Sequence, residues 1–188
     1  MKARHWRIVK TIGLIIGISL AVVLARPEPA YIIAGLVFVV IGEAVRCWAA
    51  GHLLRKKELA TSGPYAYLRD PLYFGRLCLI VGFSIMGGPW CWALMVAGLA
   101  VFFLSYMPRK YKKEMAWLEE IFGEQYTRYA AEVHSLIPRL TPYPGSARLP
   151  WNAELFWKEN REQYFILIVL GVFGGMMLKY ALYCKGIL

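Results

Sequence analysis

A long stretch without charge, from Leu77 to Met107, constrains the fold of this chain more than any other feature. It is too long for one membrane-spanning helix of about 20 residues, and Gly87-Gly88-Pro89 interrupts it near its middle. The stretch therefore predicts a tight hairpin of two transmembrane helices. The first helix is expected to begin at Pro71, because proline is well tolerated in a first helical turn.

Three further apolar stretches predict three more spans, namely Thr11–Ala25, Ala30–Trp48 and Tyr164–Tyr183. The first is expected to be retained as a helix, because Arg26-Pro27-Glu28-Pro29 stands where a signal peptide would carry a small-residue cleavage site. Hydrophobic residues make up 59% of the chain, which an ordinary soluble domain does not need. The sequence predicts an all-α, polytopic membrane helix bundle of about five transmembrane helices, in a single membrane domain over residues 1–188.

The positions of Lys and Arg predict the orientation of this bundle. All but three of the 22 lie before the first span or in the segments 46–76 and 109–161, and the exceptions are Arg26, Lys179 and Lys185. Because positively charged loops stay in the cytoplasm, we expect a cytoplasmic N-terminus and a C-terminus on the opposite side. We therefore attribute the net charge of +10 to the orientation of the protein in a lipid bilayer, its expected partner, and expect no nucleic acid as a partner.

Several common signatures are missing from the sequence. It has no G-x-G-x-x-G, no phosphate-binding G-x-x-x-x-G-K-[ST] and no G-x-S-x-G, so a Rossmann unit is not expected. Its four Cys residues have neither CxxC nor CxxH spacing, and no metal site or disulfide framework is predicted. Gly13-x-x-x-Gly17 and the glycines of Gly171–Gly175 are interpreted as sites of close helix packing.

Candidate functional residues are charged groups next to or within the apolar spans. Glu43 and Arg46 share one face of the second span, where they either neutralise each other or face a polar cavity. Asp70 precedes the helix predicted from Pro71 and either caps that helix or shares its N-terminus with an anionic ligand group. After the hairpin, Lys113–Tyr129 is predicted to form an amphipathic helix that Gly123 can interrupt.

Two of these segments together resemble a known family. The run Thr61–Gly75 is followed, after the hairpin, by Lys113-Glu114-x-x-x-Leu118-x-x-x-Phe122-Gly123-x-x-Tyr126-x-x-Tyr129. This combination resembles the isoprenylcysteine carboxyl methyltransferase and phospholipid methyltransferase superfamily of membrane enzymes. The resemblance covers a methyltransferase-like core over residues 51–138, and it leaves 164–183 as an extra C-terminal transmembrane helix.

The resemblance implies S-adenosylmethionine as the methyl donor, bound in a cytoplasmic pocket without a Rossmann domain. The cofactor-binding residues that it implies are Lys57, Glu58, Leu59, Ala60, Tyr65, Asp70, Pro71, Leu72, Tyr73 and Glu114. Arg69 and Glu114 are the expected catalytic residues, and Arg109, Lys110 and His52 are the expected contacts of a lipophilic acceptor. Two positions depart from the family pattern: Asp70 stands where eukaryotic members have His, and Met115 stands where a second Glu is usual.

The residue types suit methyl transfer from a sulfonium. Tyr rings attract a sulfonium cation, Glu114 can accept hydrogen bonds from the donor, and Arg or Lys side chains can hold an anionic acceptor. Two other functions remain open from the sequence: a non-catalytic binding or assembly protein of the same fold, and a membrane reductase that uses a nicotinamide cofactor. The retained Tyr65 and Glu114 favour the methyl donor over the nicotinamide.

Overall fold

The computed structural model describes residues 13, 16–54 and 58–186, and gives only the backbone for 105, 106, 109 and 110. All regular secondary structure in these ranges is helical, which confirms the all-α prediction. The α-helices are α1 over 16–24, α2 Pro29–Ala50, α3 Pro71–Met86, α4 Pro89–Val101, α5 Met107–Glu132 and α6 Glu162–Cys184. A short 3₁₀ helix, Gly63–Ala66, precedes α3, and π-helical segments occupy Phe102–Tyr106 and Leu155–Glu159.

Proline begins three of these helices and so fixes where the helical hairpin of α3 and α4 begins and turns. Pro29, Pro71 and Pro89 stand in the first turns of α2, α3 and α4, where a missing N–H leaves no hydrogen bond unmade. Between α3 and α4, Gly88 has φ 78°, a conformation that side chains with a Cβ rarely adopt. The predicted start at Pro71 and the predicted break at Gly87-Gly88-Pro89 are both confirmed.

Helices α2 and α3 pack closely because glycines face each other across their interface. A Cβ built on Gly42 would lie 2.7 Å from the carbonyl oxygen of Gly75, and one built on Gly82 would lie 2.8 Å from that of Gly35. By contrast, a Cβ at Gly171 meets no described atom within 4 Å. A Cβ at Gly174 also meets no described atom within 4 Å, whereas one at Gly175 lies 3.7 Å from Cγ1 of Val22 in α1. Among the described residues, the predicted packing along Gly171–Gly175 is therefore seen only at Gly175, at ordinary van der Waals distance.

Two described helices are long and apolar enough to cross a membrane. They are α2 and α6, with 22 and 23 residues and mean hydropathies of 2.0 and 2.1, and at 1.5 Å per residue they measure about 33 and 35 Å. They correspond to the predicted spans Ala30–Trp48 and Tyr164–Tyr183. The apolar helices of the hairpin are shorter. Of the predicted span Thr11–Ala25, residues 16–24 form α1, and residues 11, 12, 14 and 15 lie outside the described residues.

Helix α5 leaves the hairpin and turns back towards the start of α3. It contains the predicted helix Lys113–Tyr129, and the predicted interruption at Gly123 is confirmed by a non-helical conformation there (φ 50°, ψ −128°). Beyond this kink, Tyr126, Tyr129 and Val133 form a buried cluster. The kink therefore directs the second half of α5 onto the loop that precedes α3.

Candidate functional site

A cavity of about 430 Å³ lies between the loop 58–60, the start of α3 and the inner face of α5. This volume is within the range of small-molecule sites in proteins, about 300–1,000 Å³. Ten residues that the family resemblance implies line it: Glu58, Leu59, Ala60, Tyr65, Arg69, Asp70, Pro71, Leu72, Tyr73 and Glu114. The fold thus brings Glu114 of α5 next to residues at and before the start of α3, although most of the helical hairpin separates them in the sequence.

Four predicted site residues are not placed in this cavity wall. Lys57 lies outside the described residues. Arg109 and Lys110 belong to the first turn of α5, of which only the backbone is described at these two positions. His52 is described, and it is absent from the cavity-lining residues.

Arg69 is held by helix α5. Its guanidinium donates one hydrogen bond to the hydroxyl of Tyr111 and another to the carbonyl oxygen of Ala130, at 3.2 Å. The Nε atom lies 4.0 Å from a carboxylate oxygen of Asp70. Because these contacts involve both halves of α5, Arg69 fixes that helix against the loop before α3.

Asp70 stands at the N-terminal cap position of α3, yet its side chain makes no capping hydrogen bond. Its backbone carbonyl oxygen accepts hydrogen bonds from the N–H groups of Tyr73 and Phe74, at 3.0 and 3.1 Å. The carboxylate instead accepts a hydrogen bond of 2.5 Å from the hydroxyl of Ser135. Asp70 therefore joins the start of α3 to the segment that follows α5.

Two tyrosines of α5 form a wall of the cavity to which the sequence assigned no role. The hydroxyl of Tyr129 donates to the carbonyl oxygen of Tyr65 at 2.7 Å. Burial raises the pKa of Tyr126 to about 12, and it also raises the pKa of Tyr129 well above its usual range. Both phenols therefore stay neutral at physiological pH. Their three-residue spacing, which puts them on one helix face, was the signal available in the sequence.

His52 does not line the cavity and packs against Ser62 and Gly63, in the loop that precedes α3. Its side chain is 6% exposed, and its Nδ1 atom lies 3.1 Å from the hydroxyl oxygen of Ser62. A Cβ built on Gly63 would lie 2.6 Å from its Nε2 atom, so the ring also packs against the turn. Burial lowers the pKa of His52 below its ordinary value, because the charged imidazolium would be poorly solvated there.

The charged pair predicted in the second span has a third member. The guanidinium of Arg46 is buried, forms its ion pair with Glu162 of α6, and lies farther, at 3.9 Å, from a carboxylate oxygen of Glu43. It also donates to the carbonyl oxygen of Leu72 at 3.3 Å, and Leu72 lines the cavity. Arg46 therefore links α6 to the cavity wall at the start of α3.

Among the described residues, no group of three or more His, Cys, Asp or Glu side chains is arranged to hold a metal ion. The acidic groups at the cavity are Glu58, Asp70 and Glu114, and they stand beside aromatic rings. Such a set suits an organic ligand with a cationic centre, because carboxylates and ring faces both attract positive charge.

Comparison with known proteins agrees with the resemblance seen in the sequence. The family model for phospholipid methyltransferases matches residues 30–125. The chain is 33% identical over 116 residues to a probable protein-S-isoprenylcysteine O-methyltransferase of Oryza sativa subsp. indica, covering 55% of this chain and 59% of that protein. It is equally identical, over the same length, to protein-S-isoprenylcysteine O-methyltransferase B of Arabidopsis thaliana, covering 55% and 57%.

A third relative is bacterial. The chain is 30% identical over 142 residues to the cobalt-zinc-cadmium resistance protein CzcN of Cupriavidus metallidurans, covering 74% of this chain and 64% of that protein. The chain thus spans about three fifths of the length of these relatives, and no solved structure matches it significantly. Since the family model covers more than half of the residues, including α2, the hairpin and most of α5, the chain belongs to the phospholipid methyltransferase family.

Proposed function

We propose that this protein transfers a methyl group from S-adenosylmethionine to a lipophilic acceptor at the cytoplasmic face of a membrane. One observation carries the proposal: one cavity gathers ten residues that the resemblance implies, nine of them at or before the start of the hairpin in the sequence and Glu114 after it. Membership of a methyltransferase family supports the same activity. The acceptor class that we propose is an isoprenylcysteine-like carboxylate or another lipid.

The cavity residues suit this donor. When bound, S-adenosylmethionine supplies an electrophilic methyl group on a sulfonium. The rings of Tyr65 and Tyr73 offer their faces to that cation, and Glu114 offers a carboxylate to donor hydroxyl or ammonium groups. In-line displacement requires no nucleophilic side chain, so positioning in a site shielded from water provides much of the rate enhancement.

We also propose a five-span arrangement with the cavity on the cytoplasmic side. It is supported by the lengths of α2 and α6 and by the apolar hairpin α3–α4. Residues 51–138 form the methyltransferase core in this arrangement, and 164–183 form the extra C-terminal span. The cavity opens among the basic segments that contain most of the Lys and Arg residues, and such segments stay in the cytoplasm.

Acceptor binding is assigned to the start of α5. Arg109 and Lys110 come immediately before Tyr111, which lines the cavity, and their charges suit an anionic acceptor. We leave His52 out of the acceptor site, because its ring is buried against Ser62 and Gly63. Arg69 acts in this proposal by holding α5 in place, since its guanidinium is already bonded to that helix.

The test is a titration of the purified protein in detergent with S-adenosylhomocysteine, followed by calorimetry or thermal stabilisation. We expect saturable binding in the wild-type protein, weakened about tenfold or more by Glu114→Gln and to a smaller extent by Tyr73→Phe. Glu120→Gln and Tyr164→Phe are matched controls, because both residues are exposed and neither lines the cavity.

Two results would contradict the proposal. If the wild-type protein does not bind S-adenosylhomocysteine, the donor is wrong. If Glu114→Gln and Tyr73→Phe bind as tightly as the two controls, the donor site lies elsewhere. Saturable binding of NADPH in place of S-adenosylhomocysteine would instead favour a membrane reductase.

A further inference from the structure

Arg76 lies farther along α3 than the residues of that helix that the family resemblance assigns to the donor. It lines the cavity from helix α3, six residues after Asp70, which corresponds to about 9 Å along the helix axis. The residues that follow it in α3 are uncharged. Arg76 is therefore the last charged residue of α3 and stands where the apolar part of the hairpin begins.

The charge of Arg76 has no anionic partner among the residues that the structure describes. Its guanidinium lies over the ring of Tyr73, whose centroid is 5.2 Å from the guanidinium carbon. The neighbouring Arg46 is already paired with Glu162 and exerts electrostatic repulsion on Arg76. Arg69, which precedes α3 and also lines the cavity, donates hydrogen bonds to α5, and its Nε atom lies 4.0 Å from a carboxylate oxygen of Asp70.

A partly buried guanidinium beside apolar helices is stabilised when an anion binds next to it. Arginine is suited to this task, because its planar fork can bind both oxygens of a carboxylate or two oxygens of a phosphate. The guanidinium of Arg76 lies over Tyr73 on the cavity wall, where a ligand can reach it. These features are those of a binding residue for a negatively charged headgroup.

We propose that Arg76 binds the anionic headgroup of the methyl acceptor, a carboxylate or phosphate on an apolar chain. This inference rests on the proposed methyl transfer at the same cavity, and it adds to the basic pair Arg109 and Lys110 the residue on which the preference for an anionic acceptor chiefly depends. The donor also contains a carboxylate. However, Arg76 lies over Tyr73, whose ring is proposed to attract the donor's sulfonium, and the acceptor oxygen must reach the methyl group on that sulfonium, so we assign an anion at Arg76 to the acceptor.

The test compares two probes that differ in charge, N-acetyl-S-farnesylcysteine and its neutral primary amide. Binding of each is measured with the protein in nanodiscs of phosphatidylcholine, together with binding of S-adenosylhomocysteine. We expect the wild-type protein to bind the acid at least tenfold more tightly than the amide. Arg76→Gln should remove this preference, Arg76→Lys should retain part of it, and S-adenosylhomocysteine should bind both variants within about twofold of the wild type.

Arg128→Gln is the matched control, because Arg128 is exposed on α5 and pairs there with Glu124. It should bind both probes like the wild type. Equal binding of acid and amide by the wild-type protein would overturn the inference even if Arg76→Gln fails to fold. Loss of S-adenosylhomocysteine binding in Arg76→Gln, with the acid preference unchanged, would assign the anion to the donor and also overturn it. Failure of the wild type to bind S-adenosylhomocysteine would refute the proposed function itself, which the two acceptor probes do not test.

Discussion

Gly82→Ala should destabilise the membrane bundle, because the interface between α2 and α3 has no room for one methyl group. The new Cβ would lie 2.8 Å from the carbonyl oxygen of Gly35 and 2.8 Å from Cγ2 of Val39. An ordinary C···O contact is about 3.3–3.6 Å, so the helices must separate by about 0.5–0.8 Å or distort locally. Overpacking of this kind typically costs about 1–3 kcal/mol in the free energy of unfolding.

Gly98→Ala provides the matched control for this prediction. Gly98 lies on α4 of the same hairpin, and a Cβ there meets no described atom within 4 Å. The control should be neutral or slightly stabilising, since alanine favours a helix over glycine by up to about 1 kcal/mol. Both variants would be unfolded reversibly in mixed micelles with increasing fractions of sodium dodecyl sulfate. Equal free energies of unfolding for Gly82→Ala and Gly98→Ala would refute the argument that α2 and α3 pack at glycine distance.

Two further predictions concern charged and titratable groups around the cavity. Glu162→Gln removes the carboxylate that pairs with the buried guanidinium of Arg46, so it should lower the free energy of unfolding by about 3 kcal/mol. Replacing both residues with Leu should recover part of this loss, which a double-mutant cycle would measure. The pKa of His52 is lowered in the folded protein, so below its ordinary value of 6.5 the unfolded chain binds a proton that the folded protein does not. The contribution of His52 to the free energy of unfolding is therefore complete above that pH and is lost as the pH falls through the lowered pKa. Melting temperatures measured from about pH 7.5 down to about pH 5 should therefore fall less in His52→Gln than in the wild type, and parallel curves would contradict this assignment.

Features that depend on neighbouring residues could be predicted from the sequence. The start of α3 at Pro71, the break at Gly87-Gly88-Pro89 and the kink at Gly123 follow from the backbone chemistry of proline and glycine, and all three are confirmed. The spans Ala30–Trp48 and Tyr164–Tyr183 follow from apolar length alone, and each matches a helix within a few residues. Such signals are local, so no tertiary contact was needed to interpret them.

Features that depend on tertiary partners could not be predicted in the same way. Arg46 pairs with Glu162, which is 116 residues away, and Asp70 bonds Ser135 from beyond the hairpin. The sequence offered only the nearby Glu43 as a partner, because intrahelical spacing was the available criterion. Glycine spacing was an incomplete guide for a related reason. The glycines of α6 show where a helix could approach, and only the fold shows that α1 lies against Gly175 while no described atom lies within 4 Å of a Cβ at Gly171.

The contacts of Asp70 and Arg46 also explain why segments beyond the family match belong to the functional unit. The matched region ends at residue 125, whereas Ser135 and Glu162 lie after it. Without Glu162, the buried Arg46, which donates to the carbonyl oxygen of Leu72, would lose its closest carboxylate. Without Ser135, the carboxylate of Asp70 would lose the hydrogen bond that this hydroxyl donates. Both losses affect the same turn of α3, from Asp70 to Tyr73, which carries the proposed donor contacts. The C-terminal helix therefore acts on the cavity through Arg46 without contributing a side chain to its lining.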